Sequence, residues 1–127
     1  MNWLFQSDLP IYSQLIHGIT QGIVAGDFNP GERLPSVREL ASEAGVNPNT
    51  MQRALTELER IGLVHSQRTA GRFVTEDENM IQETKKGLAR EQIKGFVAAM
   101  ISLGYTIQDI IDLIQEEEKG EELKCLS

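Results

Sequence analysis

Residues 45–55 read GVNPNTMQRAL, and the fold turns on how that stretch is parsed. Asn47 is a residue type that caps helices, and Pro48 behind it suits the first helical position. A helix therefore starts at Asn47 and runs over 48–61, where Gly62 ends it. Upstream, SVRELASEAG begins at Ser36, and Ser36 with Glu39 matches the S-x-x-E capping box. Val37, Leu40 and Ala41 face inward and Gly45 stops that shorter helix. Two helices with only AGV (44–46) between them make a helix-turn-helix.

Downstream, LVHSQ (63–67) reads as a strand, RTAG as a turn and RFV (72–74) as a returning strand. Two short strands after a helix-turn-helix make a wing. Ahead of it, PIYSQLIHGITQGIVAG gives a first helix. Pro10 sits at its first position, Asp8 is a helix-start residue, and Gly26 is the stop. Ile11, Leu15, Ile16, Ile19 and Ile23 share one face at helical spacing. Between these helices DFNPGERLP is a turn-rich loop. TEDEN (75–79) is a linker and helix start; a helix over 80–103 ends at Gly104, and a second over 106–118 starts from Thr106 with Asp109. The charged tail beyond it should fray. The fold class is mainly α with a small β-wing. A winged helix-turn-helix domain (1–75) precedes a two-helix segment (76–127).

Advancing about 100° per residue along 48–61 separates two faces. Met51, Ala54, Leu55, Leu58 and Ile61 gather on one side; Asn49, Gln52, Arg53, Thr56 and Arg60 gather on the other. Glu57 and Glu59 lie at the edges, so the polar stripe is free of acids. Asn and Gln can pair bidentately with adenine, and Arg with guanine. The helix start also presents unpaired N–H groups and a positive dipole end to a phosphate. Ser36 and Arg38 stand at the start of the preceding helix, and Arg68 and Arg72 flank the wing turn. A solvated face with an asparagine cap explains the helix alone equally well; the convergence of four features on one surface favours DNA.

The charge distribution bears on this. The chain has 127 residues and a formal net charge of −7. Residues 1–75 carry six arginines and seven acids (6 − 7 = −1); residues 76–127 carry six basic residues and twelve acids (6 − 12 = −6). The acidity belongs to the second half. Every cation of the first half is an arginine, whose planar fork suits phosphate and guanine. One cysteine, Cys125, permits no internal disulfide and reads as a surface thiol. There is no metal-ligand cluster, nucleophile–base pairing or cofactor loop, so neither an enzyme nor a cofactor is expected. The start lacks a signal peptide and no apolar run approaches a membrane span, which makes a cytoplasmic location the expectation.

The run NPGERLPSVRELASEAGVNPNTMQRALTELERIGLV (29–64) resembles the winged helix-turn-helix of GntR-type bacterial transcriptional regulators. The matching positions are Pro30-Gly31, Leu34-Pro35-Ser36, Arg38, Leu40-Ala41, Val46, Thr50, Ala54, Leu58 and Gly62. PIYSQL before it and NPNT within it are similar to the short-tailed YtrA type, in which two dimerising helices replace a large effector domain. The resemblance implies DNA contacts from Arg38 of the L-P-S-x-R motif and from Asn47, Asn49, Thr50 and Arg53. In the wing it implies Arg68, Thr69 and Gly71. With the residues read directly, the candidate contact set is Ser36, Arg38, Asn47, Asn49, Thr50, Gln52, Arg53, Arg68, Thr69, Gly71 and Arg72. The wing departs from the family's Gly-x-Gly, carrying Thr69-Ala70-Gly71-Arg72.

The last two helices carry apolar stripes that need a partner: the bland reading packs them back onto the first domain, and the one the resemblance supports pairs two copies. Ile93, Phe96, Val97, Met100, Ile107, Ile110, Ile111 and Ile114 are the expected dimer interface. Phe96, Met100 and Tyr105 are where an interface crevice for an unidentified small-molecule effector would form, though residues of these types equally build a core. The expected function is that of a homodimeric repressor on a palindromic double-stranded DNA operator. A winged-helix protein-interaction module without DNA binding is the alternative that the net charge and the wing keep open.

Overall fold

The computed structural model describes Trp3 and residues 5–126, with side chains described as far as Gly120. Cys125 therefore lies outside the described side chains. The elements are α1 (Ile11–Ala25), α2 (Val37–Ala44), α3 (Pro48–Ile61), β1 (Val64–Gln67), β2 (Gly71–Val74), α4 (Glu78–Ser102) and α5 (Ile107–Leu126).

The helix starts have local causes. Ser36 Oγ accepts the Glu39 N–H at 3.1 Å, and Asn47 Oδ1 accepts the Asn49 N–H at 2.7 Å. These side chains satisfy donors that the first turn leaves unpaired. Glycines in the left-handed region close α1, α2 and α3. The start of α1 differs from expectation. Pro10 flanks the helix rather than opening it, and no side chain at that position caps it. Gln14 reaches back instead, accepting the Gln6 N–H at 2.7 Å and donating to the Gln6 and Leu9 carbonyls at 2.9 and 3.0 Å. Asp8 has no part in this.

The core of the first unit is built on α3, which packs against α1, α2 and β1. Met51, Ala54, Leu55 and Leu58 are buried against Leu15, Ile19 and Ile23 of α1, Leu40 and Ala41 of α2, and Leu63, Val64 and Val74 of the wing. The strands pair antiparallel in the register Val64↔Val74 to Gln67↔Gly71. The loop read as DFNPGERLP does more than connect. Asn29-Pro30-Gly31-Glu32 forms a tight turn closed by a bond from the Glu32 N–H to the Asn29 carbonyl at 3.0 Å. Gly31 sits at φ +78, the left-handed position that a type II turn needs after its proline. The turn delivers residues 32–34 along the free edge of β2. Val74 N–H donates to Glu32 O, Leu34 N–H donates to Arg72 O, each at 2.9 Å, and Arg33 bridges Phe73.

Two compact units divide at Lys85/Lys86. The first runs past the boundary expected after 75. Asp77 accepts the Met80 N–H at 3.1 Å to start α4, and Ile81 is buried in the first unit's core with Met80 packed beside it. In the second unit, Gly104 ends α4 and a full capping box starts α5. Thr106 Oγ1 accepts the Asp109 N–H at 3.1 Å, and Asp109 accepts the Thr106 N–H at 2.9 Å. The helix continues to Leu126, through the tail expected to fray.

Ile81 tests where the first unit ends. Ile81→Ala should lower the unfolding free energy of the winged-helix unit by about 2–4 kcal/mol, read from urea denaturation followed at Trp3. A loss below about 0.5 kcal/mol would show that α4 contributes nothing to that core.

Candidate nucleic-acid interface

The buried face of α3 fixes which side chains point outward. Asn49, Gln52 and Arg53 are exposed and Thr50 is half-buried. Ser36 and Arg38, at the start of α2, are exposed as well. Capping occupies the oxygens of Ser36 and Asn47, but the Ser36 hydroxyl proton and the Asn47 amide –NH₂ are left to donate. Arg53 lies over the ring of Tyr12 on α1, its guanidinium carbon 4.8 Å from the ring centroid. A ring under one guanidinium face leaves the in-plane donors accessible while limiting rotamer freedom. The sequence reading passed over Tyr12. PIYSQL marks it only as a helix residue, and the α1–α3 packing brings it to Arg53.

Carboxylates at the edges of α3 decide which arginine charges are compensated within the chain. Arg60 is bound by Glu57 through two bonds, at 2.5 and 2.9 Å. The Arg60 hydrogen bond holds the Glu57 carboxyl below its ordinary range. The polar stripe is therefore electropositive in its first two turns only. Arg72 was expected at the DNA, but its Nε donates to Glu59 at 2.5 Å and its side chain is 19% exposed. Ser66 Oγ donates to the same Glu59 oxygen at 2.6 Å. Burial alone would push the Glu59 carboxyl up. The bonds from Ser66 and Arg72, with the Arg72 charge, outweigh it and hold the carboxyl below its ordinary value. Arg72 thus ties the wing to α3. Of the six arginines in residues 1–75, Arg33, Arg38, Arg53 and Arg68 have no carboxylate partner among the described residues.

At the wing turn, Arg68 and Thr69 are exposed, and the Ala70 N–H closes onto the Gln67 carbonyl at 3.1 Å. Thr69 stands at φ 66, where the family pattern has glycine. A β-branched residue there is strained. His65 and Phe73 stack across the strands with centroids 6.0 Å apart. Arg33, missed in the sequence reading, lies beside Gly71.

The second unit leaves much of its apolar stripe uncovered. Ile93 is 59% exposed, Ile114 is 50% exposed, and Phe96, Ile107 and Ile111 are exposed too. Val97 and Met100 are half-buried. Ile110, expected at the interface, is 3% exposed within the chain itself. Phe96 and Met100 line a shallow groove with Leu113, Ile114 and Glu117, and Tyr105 is not part of it. Among the described residues no His, Cys, Asp or Glu group could hold a metal. No single helix there is long and apolar enough to cross a membrane.

A capped helix-turn-helix, a two-stranded wing and a helical C-terminal pair define a winged-helix regulator. Residues 11–74 match the bacterial regulatory proteins of the gntR family, and the chain belongs to that family. It is 41% identical over 116 residues to the uncharacterized HTH-type transcriptional regulator YhcF of Bacillus subtilis, covering 91% of this chain and 96% of that one. The HTH-type transcriptional repressor YtrA of the same organism is 34% identical over 112 residues, covering 87% and 86%. A GntR family transcriptional regulator from Listeria monocytogenes superposes with a TM-score of 0.82 at 37% identity, covering 88% of this chain and 98% of that one. The AraR DNA-binding domain, solved in complex with operator ORX1, superposes at 0.54 with 31% identity, covering 59% and 96%. The chain is thus a YtrA-type member of a family of transcriptional regulators, not of enzymes.

The clamp on Glu59 has a pH signature. Its folded pKa lies below the ordinary value of 4.5, so its stabilisation is complete above that pH and is lost as pH falls through the folded value. Glu59→Gln should cost about 1–2 kcal/mol at pH 7, and the difference from wild type should shrink between pH 5 and 3. Parallel urea-stability curves across that range would rule out an ionised clamp. Thr69→Gly removes about 1–2 kcal/mol of left-handed strain but adds about 0.5–1 kcal/mol of unfolded-state entropy. A small net gain in urea midpoint is expected, and a loss would show that the Thr69 side chain makes a stabilising contact.

Proposed function

We propose that this protein is a sequence-specific DNA-binding repressor that acts as a homodimer on an imperfect palindromic operator. The observation that carries the reading is the surface formed by the first two turns of α3, the start of α2 and the wing turn. It presents amide donors from Asn47, Asn49 and Gln52, hydroxyls from Ser36 and Thr50, and the unpaired cations Arg38, Arg53 and Arg68. Amide and guanidinium groups match base edges in the major groove, and hydroxyls and cations match phosphate. Thr69 and Gly71 bring backbone N–H groups to the wing tip. The likeness to a DNA-binding domain solved on its operator, and to a named repressor, supports this assignment.

The exposed stripe of the second unit supports the dimer. Exposed isoleucines and a phenylalanine repeated along two helices form the kind of contiguous apolar surface that a monomer rarely leaves in water. Ile93, Phe96, Val97, Met100, Ile107, Ile111 and Ile114 form the interface in this reading, and Ile110 packs within each subunit. The dimerisation role belongs to residues after Lys85. A two-fold pair places two recognition helices on half-sites about 10 bp apart or a multiple of that. An effector would bind at the groove lined by Phe96 and Met100.

Selection of bound sequences from random DNA by the purified chain should return a palindrome. Arg38→Ala should weaken binding uniformly across sequences, while Gln52→Ala and Arg53→Ala should each relax preference at one base pair by about 1–3 kcal/mol. Ile111→Glu should convert the dimer to a monomer in sedimentation and lower operator affinity. Enrichment of no sequence, with no salt-sensitive DNA binding, would overturn the reading and favour a protein-interaction module. A monomeric wild-type chain at micromolar concentration would overturn the dimer.

A further inference from the structure

Arg33 and Gly71 are 38 positions apart in sequence and touch in the fold. The turn at Pro30-Gly31 lays residues 32–34 along β2, and the Arg33–Phe73 bridge sets the register. The Arg33 side chain then runs across the face of Gly71. A Cβ built on Gly71 would stand 3.0 Å from Arg33 Nε and 3.5 Å from Nη2, so a larger residue there would make the guanidinium shift by a few tenths of an ångström. Arg33 is exposed, and no carboxylate pairs with it among the described residues. Its nearest acidic chain neighbour, Glu32, is within reach of the Asn29 amide, at 3.5 Å.

Arg72, the arginine that sequence position puts beside the wing tip, is drawn to Glu59. The wing turn would then keep only Arg68, on a hairpin that has also lost a family glycine. We propose that Arg33 supplies the wing's second DNA phosphate contact in place of Arg72, its guanidinium lying beside Gly71 next to the wing turn. The inference rests on the DNA-binding reading above. It makes the loop between α1 and α2 part of the DNA-binding surface. It also assigns the two arginines opposite roles: Arg33 neutralises a phosphate, and Arg72 orients the wing.

The test is the salt dependence of binding to the selected operator by the full-length protein. Each neutralised phosphate contributes about 0.9 to the slope of log affinity against log salt. Arg33→Ala should reduce that slope by about 0.9 per subunit and leave base preference unchanged. Arg72→Ala should lower the thermal midpoint and weaken binding by a common factor at every salt concentration, with the wild-type slope. A wild-type slope in Arg33→Ala, with its fold intact by circular dichroism, overturns the assignment alone. So does a reduced slope in Arg72→Ala. The absence of any salt-dependent binding by the wild-type chain overturns the DNA-binding reading and this assignment with it.

Discussion

The carboxylate of Glu59 accepts from Ser66 on β1 and Arg72 on β2, and so joins the recognition helix to both strands of the wing. Apolar packing alone would hold the two at a distance but define their rotation poorly. Leu63, Val64 and Val74 bury one face of a hairpin only four residues long on each strand. A charge-assisted bond to each strand adds direction. Because both bonds come to one oxygen of one residue on α3, a shift of the helix along its axis carries the wing with it. Under the proposed binding, helix and wing would meet a duplex as one rigid surface, with the ordering entropy already spent in folding.

The same contact sorts the charges. A protein with net charge −7 has to keep cations where the partner is and acids elsewhere. Here the acids on α3 do more than stay aside. Glu57 and Glu59 each compensate one arginine, at the far end of the helix and beside the wing turn. The unpaired arginines are left in the loop before α2, at the start of α2, in the second turn of α3 and at the wing turn, so the positive surface is narrower than a count of arginines suggests. Narrowing has a physical benefit. Cations spread along the whole helix would attract phosphate in many registers, whereas confined ones would favour the register in which, under the proposed binding, Asn49 and Gln52 meet base edges.

Much of this was legible in the sequence because the signals are local. Ser36, Asn47, Gly45, Gly62 and the Thr106–Asp109 pair each act within four residues, and each does in the structure what its neighbours imply. The periodicity of α3 separated Met51, Ala54, Leu55 and Leu58 from the outward face correctly. Illegible features depend on contacts distant in sequence. Nothing near Arg72 says that Glu59, thirteen residues earlier, will claim it. Nothing in GERLP says that it will lie along β2, because its hydrogen bonds go to residues forty positions away. Ile81 looked like the start of a second domain because the linker before it is polar, yet its side chain completes the first core. Ile110 follows the same periodicity as Ile107, Ile111 and Ile114. Only the packing distinguishes the one that is buried in its own chain.

The two units stand differently toward folding. The first closes a core around α3 from α1, α2, the wing and the first turn of α4. The second buries Ile110 but leaves Ile93, Phe96, Ile107, Ile111 and Ile114 largely in water, so two helices have too little interior to offset their ordering entropy. Under the proposed pairing that shortfall is made up only when a second copy covers the stripe, and the stability of the helical pair then depends on protein concentration. Operator binding enters the same equilibrium. Two half-sites on one duplex hold two recognition units at high effective concentration, which favours association of the tails, and associated tails in turn raise the affinity of the second half-site once the first is bound. A small molecule settling in the groove beside Phe96 and Met100 would need no contact with the DNA-binding unit to weaken repression. It would only have to bind the separated stripe better than the paired one.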